Sequence, residues 1–168
     1  MRQFKVLTAL IVMVGLMVMF TFAMSAATVT TAQQDNPKSK PLIQLAILLD
    51  TSNSMDGLID QAKTQLWKIV NEMALAKQNG VSPRLEVALY EYGNDGLPAG
   101  ESYMRMVVPL SEDLDRISEE LFKLKTNGGS EFCGTVIKSA ADALKWSKNN
   151  NDLKAIFIAG NEPFTQGQ

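Results

Sequence analysis

Two kinds of hydrophobic pattern follow one another along the chain, one typical of strands and one typical of helices. Residues 42–49 (LIQLAILL) are almost continuously apolar, as expected of a strand buried on both faces of a parallel sheet. Residues 84–92 (RLEVALYEY) and 153–159 (LKAIFIA) predict two further strands. Residues 102–110 (SYMRMVVPL) predict a strand at a sheet edge, because Pro109 has no amide hydrogen to donate to a ladder.

Stretches of helical periodicity separate these strands. Apolar residues recur at helical spacing over residues 56–79, and Gly80 supplies a C-terminal stop. Ser111 is predicted to cap a second helix that runs to about residue 125, and a third helix is predicted over residues 135–148. The order strand, helix, strand, strand, helix, helix, strand predicts an α/β fold: a doubly wound, mostly parallel sheet with one antiparallel edge strand.

The N-terminal end differs in composition from the rest of the chain. Two basic residues precede the apolar stretch 6–24, and small residues follow at 25–27. This order predicts a secretory signal peptide over residues 1–27, followed by a linker over residues 28–41. An uncleaved membrane anchor is the alternative, because roughly 20 apolar residues span a bilayer. Either arrangement places residues 42–168 outside the cytoplasmic membrane, in the periplasm or the extracellular space, with membrane contact only through the N-terminal segment.

The charge balance argues against nucleic acid as a partner. The chain has 16 basic and 18 acidic residues, and removal of the segment before Gln33, which carries two basic residues, makes the balance more acidic. The single cysteine, Cys133, and the lack of histidine exclude an internal disulfide and a Cys–His or Ser–His pair. Cys133 is therefore either a buried thiol or one half of a bridge to a cysteine outside this sequence.

A candidate metal motif follows the first predicted strand directly, in the sequence Asp50-Thr51-Ser52-Asn53-Ser54-Met55. Ligands of open α/β sheets bind where strands end at their carboxyl edge. Asp50, Ser52 and Ser54 alternate, so a turning loop can direct one carboxylate and two hydroxyls toward one point. Hard oxygen donors of this kind suit Mg²⁺ or Mn²⁺. The alternative is that Ser52 or Ser54 only caps the following helix.

This motif resembles the first motif of the metal-ion-dependent adhesion site in von Willebrand factor A (vWA) domains. The order of elements from Leu42 onward resembles the first two thirds of that fold. The family's second motif is a glycine-rich loop that supplies a Thr hydroxyl. Here Gly128-Gly129-Ser130-Glu131 stands in that place, and Ser130 keeps the hydroxyl. The family's third motif is an Asp after the fourth strand, where this chain has Gly160.

Two carboxylates stand near these departures from the family pattern. Glu131 follows Ser130 directly, and Glu162 lies two residues beyond Gly160. A divalent cation held by Asp50 alone would leave charge unbalanced, so Glu131 or Glu162 is expected to contribute directly or through water. The predicted metal site therefore consists of Asp50, Ser52, Ser54, Ser130 and Glu131.

The resemblance implies an exported binding module that performs no chemistry. A protein partner would complete the metal shell with an acidic side chain, as in adhesion. A last strand as apolar as residues 153–159 is typical of the middle of a sheet, so residues 42–168 are expected to form a partial, C-terminally truncated domain.

Two other functions stay open. A vWA scaffold with a decayed, metal-free site is favoured by Gly160. A metal-dependent hydrolase is the other alternative, since haloacid-dehalogenase-like phosphatases also begin with an Asp at the end of a buried strand. Such phosphatases require a second Asp where this chain has Ser52, and neither a phosphate-binding G-x-x-x-x-G-K loop nor a G-x-G-x-x-G loop follows the strand.

Several remaining residues are assigned structural roles. Residues 93–96 (GNDG) predict a turn and not a site. Glu86 and Glu91 are expected to be solvated or at sheet ends, and Trp146 is expected to pack from the third helix.

Overall fold

A computed structural model describes residues 40–77 and 80–162. The predicted signal peptide or anchor over residues 1–27 lies outside the described residues, as does most of the predicted linker over residues 28–41. No helix within the described ranges is long and apolar enough to cross a bilayer.

Seven regular helices and strands are described, together with two short 3₁₀ turns at Asn53–Met55 and Ala99–Glu101. In chain order the elements are β1 (Leu42–Asp50), α1 (Ile59–Leu75), β2 (Arg84–Tyr92), β3 (Met104–Ser111), α2 (Leu114–Lys123), α3 (Cys133–Ala143) and β4 (Leu153–Ala159).

The strands form one sheet in the order β3-β2-β1-β4. β1 pairs in parallel with both β2 and β4, whereas β2 and β3 are antiparallel. The predicted fold class, with its single antiparallel strand at one edge, is therefore confirmed. Among the described residues β4 pairs with β1 alone, and its residues after Leu153 are half-buried.

Apolar residues cover both faces of β1 because helices pack on both sides of the sheet. Alternate residues such as Leu45, Ile47 and Leu49 contact the core formed with α1 and α2, and the intervening Ala46 and Leu48 contact the core beneath α3. Burial of each leucine or isoleucine side chain contributes about 1.5–3 kcal/mol. This two-sided burial fixes β1 at the centre of the sheet and so fixes the position of the loop that follows it.

Two predicted helix starts were wrong. α1 begins at Ile59 and not at residue 56, because residues 56–58 form a turn in which Gly57 has a φ of +80°. Asp113 and not Ser111 caps α2: its Oδ1 accepts from the Arg116 amide at 3.0 Å, while the Ser111 Oγ accepts from the Asp113 amide at 3.1 Å.

The predicted end of the third helix was also wrong. α3 ends at Ala143, so Trp146 lies beyond it and its indole Nε1 donates to the Ala141 carbonyl at 2.9 Å. The Ser147 amide donates to Oε1 of the buried Gln44 at 2.7 Å. If α3 continued, the Ser147 amide would point along the helix and could not reach Gln44 on β1.

Candidate metal site

The loop after β1 lies at the carboxyl edge of the sheet, beside the end of β2. Asp50, the last residue of β1, is fully buried, and Ser52 is 1% exposed. The Thr51 amide donates to the Tyr92 carbonyl at 2.8 Å, and the Thr51 hydroxyl donates to the same oxygen at 3.2 Å. These bonds extend the parallel pairing by one residue before the chain turns away, so the carboxylate of Asp50 is held by the sheet itself.

The carboxylate of Asp50 uses one of its two oxygens. Oδ1 accepts a hydrogen bond from the Ser52 amide at 2.9 Å, whereas the buried Oδ2 has no hydrogen-bond partner among the described residues. Burial raises the pKa of Asp50, hydrogen bonds from Ser52 lower it in part, and the negative charge of Glu162 raises it further. A buried carboxylate oxygen without a partner is costly unless a cation or a proton reaches it.

Two serine hydroxyls lie beside this carboxylate. The Ser52 Oγ and Ser54 Oγ are 2.8 Å apart, and Ser54 Oγ donates to Asn161 Oδ1 at 2.8 Å. Asn161 Nδ2 donates in return to the Ser54 carbonyl at 3.0 Å, which ties the loop to the end of β4. Neither serine caps a helix, because no side-chain cap bond is formed at the 3₁₀ turn or at Leu58 before α1. The helix-cap interpretation was therefore wrong.

Three hydrogen bonds join the glycine-rich loop to the first motif, two between backbone groups and one to a side chain. The Asn53 amide donates to the Gly128 carbonyl at 3.1 Å, and the Gly128 amide donates to Asn53 Oδ1 at 2.7 Å. The Asn127 amide also donates to the Thr51 carbonyl at 2.9 Å. Because both loops are joined at three points, the residues after Gly129 are brought to the Asp50 carboxylate.

Gly93, the first residue of the stretch 93–96 that was predicted to form only a turn, builds one wall of the site. Gly129 has a φ of +124°, and a methyl group placed on it would come within 1.6 Å of the Gly93 carbonyl oxygen. A methyl group on Gly93 would come within 2.8 Å of Asp50 Oδ1 and 3.1 Å of Glu131 Cγ. Neither contact leaves space for a side chain. The adjacent glycines at 128 and 129 gave a sequence signal for close approach, but the sequence did not indicate what they approach.

Glu131 lies against Asp50 and Ser52 and is 8% exposed. Burial raises the pKa of Glu131, and the negative charges of Asp50 and Glu162 raise it further, while a hydrogen bond with the Ser52 side chain lowers it. The site therefore concentrates acidic groups that repel one another. Within the described ranges, no three His, Cys, Asp or Glu side chains are arranged to hold a metal by themselves, so a cation here would need further oxygen ligands, such as the serine hydroxyls or water.

Ser130 differs from the other predicted ligands. Its side chain is exposed, and in the described part of the chain no hydrogen bond joins it to Asp50, Ser52 or Ser54. The structure thus brings together four of the five predicted site residues, Asp50, Ser52, Ser54 and Glu131, and it adds Asn161, which sequence reasoning missed.

Tyr92 explains why Gly160 stands where the family has an Asp. A methyl group on Gly160 would come within 2.4 Å of the Tyr92 hydroxyl oxygen and 3.0 Å of Asp50 Oδ2. Tyr92 is fully buried, its hydroxyl lies 3.6 Å from the Cys133 Sγ, and burial raises its pKa. An Asp at position 160 has no room while Tyr92 is present. Cys133 is a free thiol within the described chain and is 2% exposed, while a bridge to a cysteine outside this sequence stays a prediction.

Two glutamates of β2 are less solvated than the sequence suggested. Glu91 is not solvated: it is 4% exposed and forms a salt bridge with Arg105 on β3. Glu86 is partly buried and accepts from Gln44 Nε2 at 2.7 Å.

The donors at the loop fit a hard divalent cation. They comprise a buried carboxylate oxygen without a partner, two hydroxyls that contact each other, and a second buried carboxylate. Oxygen-only sets of this kind match the preference of Mg²⁺ and Mn²⁺.

An open, mostly parallel sheet with oxygen-bearing loops at its carboxyl edge defines a class of ligand-binding α/β domains. Within that class the chain has the vWA fold, because solved vWA domains match it. No family model and no curated protein matches the sequence.

Three solved structures show this likeness. The VWA domain of SpRpn10 is 16% identical with a TM-score of 0.52, over 75% of this chain and 63% of that one. The pilus adhesin SpaC from Lactobacillus rhamnosus GG is 17% identical with a TM-score of 0.53, over 72% and 14%. The vWF domain of the type V pili tip protein Mfa5 from Porphyromonas gingivalis is 17% identical with a TM-score of 0.50, over 70% and 36%. The chain thus spans less than two thirds of each, and identities this low establish the fold alone.

Proposed function

We propose that this chain is an exported vWA-type binding module that holds Mg²⁺ or Mn²⁺ at the loop after β1 and uses it to recognise a protein partner. The observation that carries the proposal is Oδ2 of Asp50, a buried carboxylate oxygen with no partner among the described residues. A cation at this oxygen would remove the cost of burying an ionised carboxylate.

Each residue of the loop has a role in this proposal. Asp50 would supply the anionic ligand, Ser52 and Ser54 the hydroxyl ligands, and Glu131 the second negative charge, directly or through water. Ser130, which is exposed, would contribute through water or at the rim. The bound metal would supply a positive charge that attracts an acidic side chain of the partner.

Three observations support recognition as the function in preference to catalysis. Two of the structural neighbours are described as a pilus adhesin and a pili tip protein. The predicted N-terminal export segment agrees with a periplasmic or extracellular location. The one cysteine is buried against Tyr92, where no substrate reaches it.

Calorimetric titration of Mg²⁺ and Mn²⁺ tests the metal site directly. We expect binding to the parent protein and its loss in Asp50→Ala, with a roughly tenfold weakening in Ser52→Ala because one ligand is removed. The matched control is Asp115→Ala, which removes an exposed Asp of α2 outside the described site. Circular dichroism of each variant shows that the fold is retained.

A folded parent protein that gives no heat with 10 mM of either cation would contradict the metal site. That result would favour the alternative of a vWA scaffold that recognises its partner without metal.

The recognition step has its own test, in which acetate stands in for the acidic side chain of the partner. We expect relaxation of the acetate methyl protons by Mn²⁺ to be stronger with the parent protein than with Asp50→Ala at the same total Mn²⁺, since bound Mn²⁺ tumbles slowly. Equal relaxation in both samples would argue against an open coordination position for a carboxylate.

A further inference from the structure

The amino edge of the sheet, where β1, β2 and β4 begin, lies at the opposite end of the strands from the loop after β1. A cavity of about 310 Å³ lies at this edge, between the starts of β1 and β4, the residue before β2 and the end of α1. The surface here, called the amino-edge patch, consists of the lining residues Pro41, Lys77, Pro83 and Leu153, with Leu75 and Val81 close to them in the chain. We propose that the amino-edge patch docks on the surface of an anionic lipid bilayer.

Three large apolar side chains of the amino-edge patch are exposed. Leu75, the last residue of α1, is 79% exposed, Leu153 at the start of β4 is 49% exposed, and Val81 before β2 is 39% exposed. They are half of the six large apolar side chains that are exposed in the described ranges. Exposed apolar residues that cluster in this way mark a surface that contacts a partner or a membrane.

Exposed lysines lie beside these apolar side chains. Lys40 precedes β1, Lys77 follows α1, and Lys148 lies in the turn before β4, and none of the three forms an ion pair within the described residues. The carboxylate of Asp152 in that turn accepts hydrogen bonds from Ser147 and Asn149. Apolar side chains with lysines beside them match a bilayer surface, where anionic headgroups cover an apolar interior.

The chain enters the described domain at the amino-edge patch. Lys40 is the first described residue, and fifteen residues, 25–39, separate it from the apolar stretch 6–24. When that stretch stays in the bilayer as an anchor, the alternative to cleavage, a linker of this length gives the patch an effective concentration at the membrane on the order of millimolar. A weak affinity for lipid is then sufficient for docking.

Docking at the amino-edge patch would determine which way the proposed metal site faces. β1 has nine residues, so its two ends are about 30 Å apart. The buried carboxylates of Asp50 and Glu131 are at the far end, beyond the range of about 10 Å over which an anionic surface acts in salt. The site would therefore face away from the lipid. Docking itself requires no metal, so it holds or fails independently of the metal site.

The test measures the depth of a nitroxide label on the full chain, reconstituted in vesicles of three parts phosphatidylcholine to one part phosphatidylglycerol. One label is attached at Leu75→Cys, and the control label at Gly100→Cys, a position between β2 and β3 where a side chain meets no atom within 4 Å. Native Cys133 is 2% exposed and stays unlabelled. Electron paramagnetic resonance compares the access of oxygen, which enters lipid, with that of a water-soluble nickel complex.

We expect the label at position 75 to lie about 5–10 Å below the headgroup surface and the label at position 100 to stay in water. In vesicles of phosphatidylcholine alone, the label at position 75 should move toward water by about 5 Å. The double variant Lys77→Glu with Lys148→Glu should cause the same shift in the anionic vesicles. The matched control, Lys125→Glu with Lys138→Glu, makes the same change of charge on exposed lysines away from the patch and should leave the depth unchanged.

Four outcomes would overturn the proposal, given that circular dichroism shows each protein to be folded. A label at position 75 that is as accessible to nickel as the control label would mean that the domain is only tethered. Low access to both oxygen and nickel would mean that protein, such as a second copy of the chain, covers the patch. Equal depth in the two kinds of vesicle would exclude recognition of anionic lipid. An equal effect of the two double variants would mean that total charge, and not the patch, controls the depth.

Discussion

Gln44 and Asp50 are buried polar residues on the same strand, near its opposite ends. Gln44 is 3% exposed, and both polar atoms of its amide have partners: Nε2 donates to Glu86 at 2.7 Å, and Oε1 accepts from the Ser147 amide at 2.7 Å. Asp50 is fully buried, yet one of its carboxylate oxygens has no partner in the described ranges. The buried polar side chain at the amino end of β1 thus has all its hydrogen-bond partners within the described chain, and the one at the carboxyl end does not.

This difference distinguishes buried polar residues that support the fold from those that belong to a candidate binding site. Lys63, another buried polar residue, donates from Nζ to the Leu124 carbonyl at 2.6 Å and so joins α1 to the end of α2. Within the described chain, the buried side-chain atoms without a partner are Asp50 Oδ2 and the Tyr90 hydroxyl oxygen. The first lies at the proposed metal site, and the second lies in the core beneath α3. The carboxyl end of β1 is therefore a place where a ligand would add to stability.

The largest effect is expected from Gly129→Ala, which disrupts the packing of the loops at the carboxyl end of β1 without replacing a proposed metal ligand. The new methyl group would overlap the Gly93 carbonyl oxygen, a backbone atom that has little freedom to move. We expect a loss of about 4 kcal/mol or more in the free energy of unfolding, measured by urea denaturation. Gly100→Ala, whose methyl group meets no atom within 4 Å, should change it by about 0.5 kcal/mol or less. Equal stability of the two variants would mean that the two loops do not interlock.

An intermediate effect is expected from Gln44→Leu, near the amino end of β1. The substitution leaves the Ser147 amide without an acceptor and Glu86 with one donor fewer, so we expect a loss of about 1–3 kcal/mol. Metal affinity should not change. The matched control, Gln65→Leu on the exposed surface of α1, should lie within about 0.5 kcal/mol of the parent. A neutral Gln44→Leu would remove the contrast between the two ends.

The smallest effect, and one of opposite sign, is expected from Asp50→Asn in metal-free protein. Burial raises the pKa of Asp50 in the folded state, so folding favours the protonated form. The unfolding free energy should therefore rise as pH falls from neutral toward the ordinary carboxyl pKa of about 4. The advantage should be complete below that value and lost as pH rises through the raised pKa.

Asp50→Asn should flatten this dependence and, at pH 7.5, stabilise the metal-free protein by about 1 kcal/mol. Glu131→Gln should flatten it in part, because the pKa of Glu131 is raised by the same burial and by Asp50. Urea denaturation in EDTA between pH 5 and pH 8 measures the slope. A parent protein that loses stability on acidification over this range would contradict the assignment.

The elements that the sequence predicted well are those whose signal is local. The continuous apolar run of β1 identified the central strand, and Pro109 identified the edge strand. Helix ends were harder, because Ser111 and Asp113 are both good caps and only the tertiary packing of α2 selects Asp113. The early end of α3 depends on a hydrogen bond from Ser147 to Gln44, 103 residues away, which no local pattern encodes.

The candidate site likewise contains residues that the local sequence predicted and residues that it could not predict. Asp50, Ser52 and Ser54 were predictable because they are close in sequence and follow a buried strand. Asn161 and the wall at Gly93 were not, because they contact the loop only after β4 and β2 pair on either side of β1. Glu131 was found through its adjacency to Ser130, although Glu131 and not Ser130 is the residue that lies against Asp50.

The contact between Gly160 and the Tyr92 hydroxyl has an evolutionary consequence. Two side chains compete for one volume, so the residues at these positions cannot vary independently. Among homologues of this chain, a large aromatic residue at position 92 should accompany glycine at position 160, and an acidic residue at 160 should accompany a smaller one at 92. A single substitution at one of the two positions would either force two side chains into one volume or leave a cavity there. Lineages of these domains should therefore fall into two groups, each persistent, with few intermediates.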